Sequence, residues 1–296
     1  MTLHFISDYK NDPAYRLSFN ELAGKTFGID FEKWYQLGFW NDRYVCYSFA
    51  EGNRIVANVS ASRLDLIFKG QRFSAVQIGT VMTEAEFRGR GLAAQLMRRV
   101  LSEYENQCDL IYLFANRSVL DFYPKFGFVP VQESRFTAEI GDPGRFSGGF
   151  RRLDLGNSND LMILKRLIHE RRPISPTIDV DQAQSILAWH CLNVFPRDLY
   201  YLDDLELLII YKIQDDDAGA RLHLYDVIGA RKPEFRPIFE RVAHRDITKA
   251  VFYFTPHFED LTIQCHPYED PDDTLFIKSA SVRLTGEFAY PLTGHT

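Results

Sequence analysis

The stretch EFRGRGLAAQLMRRVL, Glu86 to Leu101, has two glycines, each preceded by an arginine, at the head of a helical pattern. From Leu92 onwards apolar residues recur every three or four positions, which predicts an amphipathic helix. The segment before it, FSAVQIGTVM (73–82), has the composition of a β-strand. A strand that passes through glycines into a helix N-terminus presents main-chain N–H groups that carry partial positive charge. The stretch therefore predicts an anion site, with Arg88 and Arg90 adding full charges beside it.

Three phosphate-binding turns can be compared with this pattern. The P-loop sequence GxxxxGK[ST] is absent. GRGLAA (89–94) fits the GxGxxA of a Rossmann dinucleotide site, which also needs an acidic residue about 20 positions later, at the end of the next strand. Asp109 precedes the next predicted strand, LIYLFA (110–115), and Asn116 follows it. A Rossmann site also has no need of the arginines, so it is the second choice.

The third candidate is a coenzyme A turn. Residues 73–132 resemble the core of the GNAT superfamily of acyl-CoA-dependent N-acetyltransferases. The first family signature, [QR]-x-x-G-x-[GA], matches Arg88 to Ala93, and ANRSVLDFYPKFGF (115–128) resembles the second signature. The residues of the second match are Asn116, Phe122, Tyr123, Lys125, Gly127 and Phe128. Ala85 stands where the family often has proline.

The resemblance implies a site for acetyl-CoA as acyl donor, without a metal. The pantetheine arm would pair with main-chain groups of Val81, Met82 and Thr83. The pyrophosphate would rest on the turn, whose residues are Arg88, Gly89, Arg90, Gly91, Leu92, Ala93 and Ala94. Asn116 would bond the pantetheine arm, or else cap a short helix over RSVLDFY (117–123).

Catalysis of acyl transfer to an amine needs an acid and a base. The family's tyrosine matches Tyr123, which would protonate the leaving thiolate; the alternative is a packed core aromatic residue. A primary amine is mostly protonated at neutral pH, so a base or a water relay is required. Glu84 is the predicted base and Asp42 a second candidate, against the alternative of solvated surface carboxylates.

An aromatic segment, FGIDFEKWYQLGFW (27–40), lies where the family has its acceptor-site helices. It predicts a helix from Asp30 to Trp40. Its aromatic residues could hold a cationic amine by cation–π contacts, or pack against the sheet instead. The predicted substrate-pocket residues are Trp34, Tyr35, Phe39 and Trp40.

The order of predicted elements indicates a mixed α/β fold with two similar halves. Residues 1–140 form the predicted acetyl-CoA-binding domain, GDPGRFSGG (141–149) a linker, and residues 150–296 a second, degenerate GNAT-like domain. This layout resembles the enhanced-intracellular-survival type of acetyltransferase, without its third domain. That type places its C-terminal carboxylate in the active site as a base, a position that Thr296 would have to fill here.

Composition narrows the class of protein. The 296 residues are 46% hydrophobic with a net charge of −6, which disfavours nucleic-acid and anionic-membrane partners. The N-terminus has no apolar signal segment, so we expect a cytoplasmic protein. His190–Cys191 and Cys265–His266 lack the spacing of zinc ligands, so no metal is expected. The acidic run YEDPDD (268–273) is typical of a solvated loop.

The predicted function is N-acetyl transfer from acetyl-CoA to a primary amine of a small molecule or peptide, by direct attack in a ternary complex. A homo-oligomer is compatible with the sequence. The alternatives are a non-catalytic acyl-CoA-binding sensor or interaction protein and, ranked lower, a Rossmann-type dinucleotide-binding protein.

Overall fold

The computed structural model of the chain describes residues 2–141, 149–216, 219–243 and 247–296. These residues contain two mixed β-sheets and six α-helices. The strands are β1 (Leu3–Ser7), β2 (Tyr44–Glu51), β3 (Arg54–Phe68), β4 (Gln71–Thr83), β5 (Leu110–Ala115), β6 (Val129–Pro130), β7 (Glu133–Glu139), β8 (Phe150–Arg152), β9 (Ile178–Asp181), β10 (Leu199–Leu202), β11 (Leu207–Asp216), β12 (Gly219–Ile228), β13 (Ile247–Phe252), β14 (Gln264–Tyr268) and β15 (Thr274–Lys278). The helices are α1 (Pro13–Phe27), α2 (Glu32–Gln36), α3 (Leu92–Tyr104), α4 (Ser158–Glu170), α5 (Gln184–Trp189) and α6 (Phe235–Val242).

The two sheets have the same layout. The first runs β1-β2-β3-β4-β5-β15-β6, with β9 also paired to β3, and the second runs β8-β10-β11-β12-β13-β7-β14. In each sheet only the fourth and fifth strands of this order, β4–β5 and β12–β13, are parallel, and a helix, α3 or α6, joins them. The prediction of a mixed α/β fold with a repeated order of elements is confirmed.

The sixth strand of each sheet comes from the other half of the chain. Strand β15, near the C-terminus, pairs with β5, in the register Thr274–Ala115. Strand β7, in the first half, pairs with β13, in the register Phe136–Phe252. The predicted division of the chain into residues 1–140 and 150–296 therefore does not coincide with the division into sheets. Residues 142–148 of the predicted linker lie outside the described residues.

Helix α3 buries the face that the sequence predicts. Its buried residues are Leu92, Leu96, Met97, Val100, Leu101 and Tyr104. Each large apolar side chain that is fully buried contributes about 1.5–3 kcal/mol, so the helix is held firmly against the first sheet. This packing fixes the position of the glycine turn that precedes it.

Two predicted helices differ from the structure. The helix predicted over Asp30–Trp40 is only α2, because Gly38 takes a left-handed φ of +83° and ends the helical run. RSVLDFY forms a series of turns instead of a helix, followed by a 3₁₀ turn from Tyr123 to Phe126. The Asn116 side chain accepts hydrogen bonds from the N–H and hydroxyl of Ser118, which stabilises a local turn in place of a helix.

Candidate active site

Strands β4 and β5 diverge halfway along their length. They pair only over Ala75–Gln77 and Leu110–Tyr112. On its other edge β4 carries a bulge, because Gly79 pairs with Ser60 and Met82 with Asn58, which leaves Thr80 and Val81 opposite Val59 alone.

The bulge is held by side chains of its neighbours. Thr80 has a φ of +49°, which is uncommon for a β-branched residue. Asn58 Nδ2 donates to the Thr80 carbonyl at 2.9 Å, and the hydroxyls of Tyr44 and Thr80 are 3.0 Å apart. These bonds stabilise the strained residue at the point where β4 turns away from β5.

A cleft of about 540 Å³ opens where the strands separate. It is lined by three groups of residues: the end of β4 with the glycine turn, the end of β5 with the following turns, and a set of aromatic and polar residues from other segments. These are Phe27, Ile29, Phe31, Ile78, Gly79, Thr80, Val81, Met82, Thr83, Arg88, Ala93, Phe114, Ala115, Asn116, Val119, Phe122, Tyr123, Trp189, Asp272, Asp273 and Thr296. The predicted pantetheine-binding residues of β4 all lie in this wall.

The glycine turn sits at the mouth of the cleft. Gly89 and Gly91 both have a φ of +73°, and Gly91 is the N-cap of α3. No side chain caps this helix, so its first N–H groups face an exposed turn. Because Leu92 is buried, it can contribute only its main chain. The turn thus has the geometry that the sequence predicts for anion binding.

The two arginines of the turn point in different directions. Arg88 lines the cleft, and its Nε donates to the Thr83 carbonyl at 3.2 Å. Arg90 donates to the Glu86 carbonyl at 3.0 Å, and its guanidinium lies 4.7 Å from the centre of the Phe87 ring. Only Arg88 is therefore placed beside the cleft.

In the second sheet, the N-terminus of α6 corresponds to that of α3, but a side chain of the protein caps it. The first N–H groups of α6, those of Phe235 and Arg236, donate to the Asp260 carboxylate at 3.0 and 2.6 Å. Beyond β13, the N–H of Leu292 donates to the Tyr253 carbonyl at 2.9 Å. Asp260 thus occupies the N-terminus of α6, and the segment around Leu292 lies beside the end of β13. The corresponding places in the first sheet, at the N-terminus of α3 and the end of β5, border the open cleft.

Tyr123 lies in the cleft with its ring largely buried. Its ring packs near those of Phe122, Phe128 and Phe276, the last of which belongs to β15. Burial raises the pKa of Tyr123 to about 12, so the phenol keeps its proton at neutral pH.

Asn116 combines the two roles that the sequence left open. Its Oδ1 accepts from Ser118, which fixes the turn after β5. Asn116 also lines the cleft, and its Nδ2 takes no part in these two hydrogen bonds. The amide can therefore hold the turn and still donate into the cleft.

The two predicted bases lie elsewhere. The Glu84 carboxylate is 3.4 Å from both Lys25 Nζ and Arg54 Nη2, and Glu84 does not line the cleft. Asp42 is exposed and pairs with Lys10 at 2.7 Å, and this hydrogen bond lowers the pKa of its carboxyl group. Both carboxylates are engaged by cations outside the cleft, so the structure does not support either as the base.

The predicted aromatic pocket is instead part of the protein core. Trp34 is buried and donates its Nε1–H to the Ser185 carbonyl at 2.8 Å. Phe39 and Trp40 are also buried, and Tyr35 lies under the Arg16 guanidinium at 3.9 Å. None of the four lines the cleft. Their rings lie in or against a core cluster that also includes Leu22 of α1 and Leu187 of α5.

The cleft is also lined by residues from the second half of the chain, three of which the sequence did not indicate as site residues: Trp189, Asp272 and Asp273. The fourth is Thr296. Arg117 Nε donates to Asp272 at 2.7 Å. Gln77 Nε2 donates to the main-chain oxygen of Thr296 at 2.9 Å, so Thr296 contacts β4 at the cleft. Gly79 offered a signal, because an isolated glycine inside a strand often marks a bulge or a close approach.

No group of three or more His, Cys, Asp or Glu side chains in the described ranges could hold a metal ion. Across the same ranges, no helix has the length and apolar character needed to cross a membrane.

Comparison with known proteins agrees with this geometry. Residues 16–131 match the family model described as an acetyltransferase (GNAT) domain. Similar solved structures include a probable N-acyltransferase from Enterococcus faecalis (TM-score 0.58, 15% identity), a GCN5-related N-acetyltransferase from Kribbella flavida (0.55, 16%) and Eis1 from Mycobacterium abscessus (0.55, 13%). Each alignment covers 94% of this chain, and it covers 72%, 72% and 73% of those chains respectively. A search of curated proteins found no match.

At these identities the solved structures establish the fold of both halves, whereas the family model covers the half that contains the glycine turn and Tyr123. Residues 16–131 therefore form a GNAT acetyltransferase domain, and the chain is an acyltransferase.

Proposed function

We propose that the protein transfers an acetyl group from acetyl-CoA to a primary amine of a small molecule or peptide, by direct attack in a ternary complex. The observation that carries the proposal is the contrast between the two sheets. The α3 N-terminus opens uncapped at the mouth of a cleft, whereas Asp260 occupies the α6 N-terminus. This contrast, drawn from the described residues, supports a diphosphate site in the first half.

The glycine turn, the end of β4 and Asn116, all in the first half, would bind acetyl-CoA, the acyl donor. The N–H groups from Gly89 to Ala94 and the Arg88 side chain would hold the pyrophosphate. The main chain of Val81 to Thr83 and the Asn116 amide would hold the pantetheine arm, in the manner of an added strand. Acetyl-CoA supplies the activated acetyl thioester.

Tyr123 would assist the departure of the coenzyme A thiolate from the acetyl group. A thiol such as that of cysteine has a pKa of about 8.5, well below the pKa of about 12 of Tyr123. Complete proton transfer from the phenol to the thiolate is therefore unfavourable on its own. The phenol acts chiefly as a hydrogen-bond donor while negative charge develops on the sulfur, and its proton is replaced as the amine nitrogen loses one.

The proposal is tested with coenzyme A binding and thiol release. We expect calorimetry to detect binding of coenzyme A but not of NAD(P). We expect thiol release from acetyl-CoA with at least one of spermidine, kanamycin and a lysine-containing peptide. Binding without thiol release for any amine would favour the acyl-CoA sensor, and binding of NAD(P) alone would favour the dinucleotide-binding alternative.

A matched pair of variants isolates the glycine turn. Gly91→Asp places a carboxylate at the α3 N-terminus, as Asp260 does at α6, and aspartate tolerates a left-handed φ better than most residues. Gly52, in the turn between β2 and β3, has a φ of +59° and equally open surroundings. We expect Gly91→Asp to weaken coenzyme A binding by about 100-fold, and Gly52→Asp to leave binding unchanged. Equal binding by both variants would contradict the proposal.

A further inference from the structure

We propose that Asp273, which the second half delivers to the cleft through strand β15, accepts the proton of the acceptor amine. This inference rests on the proposed function and adds a catalytic residue to it. Asp273 lines the cleft together with Tyr123, although the two residues are 150 positions apart in the sequence.

Strand β15 fixes the position of Asp273 relative to the reacting groups. Asp273 comes one residue before the Thr274–Ala115 pair, so it lies beside the end of β5 where the cleft opens. Phe276, three residues after Asp273 and within β15, packs against Tyr123, with ring centres 6.0 Å apart. One strand of the second half thus positions the carboxylate and supports the phenol.

The carboxylate of Asp273 is not paired with a charged basic side chain among the described residues, so it can accept a proton. Within the described part of the chain, no Lys or Arg nitrogen lies within 4 Å of it. The nearest basic group is His295 Nε2 at 3.8 Å, and burial lowers the pKa of His295 so that it is neutral near pH 7. The neighbouring Asp272 is already paired with Arg117.

The surroundings of Asp273 also make it a stronger base than an ordinary aspartate. Burial and then the nearby Asp270 carboxylate raise the pKa of Asp273 to about 6. Glu133 is a further acidic neighbour, and burial raises its pKa to about 7. A base whose pKa lies near the working pH is the most effective, since it is unprotonated but still holds a proton readily.

Two other carboxylates of the chain are less suited. Glu84 is paired with Lys25 and Arg54 outside the cleft. Asp272 also lines the cleft, but it is paired with Arg117. Asp273 is free of both constraints.

The proton and electron balance is complete with these residues. Asp273 takes one proton from the ammonium group, and the nitrogen lone pair forms a bond to the thioester carbon. The carbon–sulfur bond then breaks, and its electron pair leaves on sulfur. Tyr123 supplies a proton to sulfur and recovers one from the nitrogen, which ends as a neutral amide. The proton on Asp273 returns to solvent.

The test compares Asp273→Asn with Glu269→Gln, an exposed acid of the same segment that does not line the cleft. With spermidine, kanamycin or the lysine-containing peptide at pH 7, we expect Asp273→Asn to lower kcat/KM by about 100-fold. Glu269→Gln should stay within about twofold of the wild type, and Asp273→Glu should recover part of the loss. Coenzyme A affinity should be unchanged in all three variants.

Two readouts separate proton acceptance from a structural role. Hydroxylamine is neutral at pH 7, so its acetylation should be equally fast in wild type and Asp273→Asn. The pH profile of kcat/KM for a charged amine should bend near pH 6 in the wild type, and this bend should be missing from Asp273→Asn. Equal slowing with hydroxylamine, or an unchanged bend, would overturn the proposal.

The outcomes for the two proposals are distinguishable. A wild type that releases no thiol with any amine overturns the proposed function, and the role of Asp273 falls with it. A wild type that is active, with an equally active Asp273→Asn variant, overturns only the role of Asp273.

Discussion

Gln77 donates its Nε2–H to the main-chain oxygen of Thr296 at 2.9 Å, and so joins the middle of β4 to a residue 219 positions away. The segment that ends at Thr296 first runs along the second sheet, where Thr293 donates to the buried Asp226 at 2.5 Å. Asp226 in turn faces the buried Arg171 at 3.5 Å. The position of Thr296 in the cleft therefore depends on contacts with both sheets.

Gly79 tests this close approach. A Cβ at this position would lie 2.9 Å from Thr296 Oγ1, closer than real Cβ atoms come. We expect Gly79→Ala to displace Thr296, to lower the free energy of unfolding by about 1–3 kcal/mol and to reduce kcat/KM. Thr296→Ala removes the clashing oxygen, so the double variant should recover both quantities. A Gly79→Ala protein with wild-type stability and turnover would contradict this reading of the contact.

Arg88 and Arg90 are predicted to differ, although the sequence motif treats them alike. Arg88 lines the cleft, whereas Arg90 stacks on Phe87 outside it. We expect Arg88→Gln to raise the KM for acetyl-CoA about tenfold, the effect of losing one charged hydrogen bond. Arg90→Gln is the matched control and should change this KM by less than about threefold. Steady-state kinetics at two salt concentrations measure the KM for acetyl-CoA of each variant. An equal effect of the two substitutions would refute the different roles of Arg88 and Arg90.

Tyr123→Phe keeps the ring that packs against Phe276 and removes only the hydroxyl. We expect kcat to fall about 100-fold, the low end of the range for general acids, with unchanged affinity for coenzyme A. Because the pKa of Tyr123 is about 12, its ionisation should produce no alkaline limb in the rate profile below about pH 10. Unchanged turnover by Tyr123→Phe would remove the phenol from the mechanism.

The sequence predicted those parts of the site that are local in the chain. The strand, the glycine turn and the stripe of α3 lie within about 35 consecutive residues, and Asn116 and Tyr123 follow the next strand. Periodicity and turn chemistry are sufficient to predict such a unit.

The parts contributed by distant segments could not be predicted in this way. An apolar run such as TLFIK (274–278) indicates a buried strand, but nothing in it specifies that its partner is β5 rather than β13. Without that pairing, the acidic run that contains Asp273 predicts only a solvated loop. The role of the Trp34 ring is ambiguous in the sequence for the same reason, since its hydrogen-bond partner, Ser185 of α5, is 151 residues away.

His190 makes the stability of the C-terminal segment sensitive to acid. Its Nε2–H donates to the His295 carbonyl, and its buried Nδ1 has no hydrogen-bond partner within the described residues. Protonation would place a second buried N–H there without an acceptor, so burial lowers the pKa of His190 to about 4. Between about pH 6.5 and 4 the folded state therefore binds fewer protons at His190 than the unfolded state does. This contribution to stability is present above pH 6.5 and is lost as the pH falls.

The variant His190→Gln keeps a donor at this position and removes the titration. We expect its free energy of unfolding, measured with urea at pH 7.5, 6 and 5, to fall less steeply with acid than that of the wild type. The divergence should approach about 1.4 kcal/mol per pH unit, the value for one proton. Glu133 and Asp273, whose raised pKa values act in the opposite sense, are common to both proteins and cancel in the difference. His169→Gln, an exposed change on α4, should follow the wild-type curve, and parallel curves for all three proteins would exclude the role of His190.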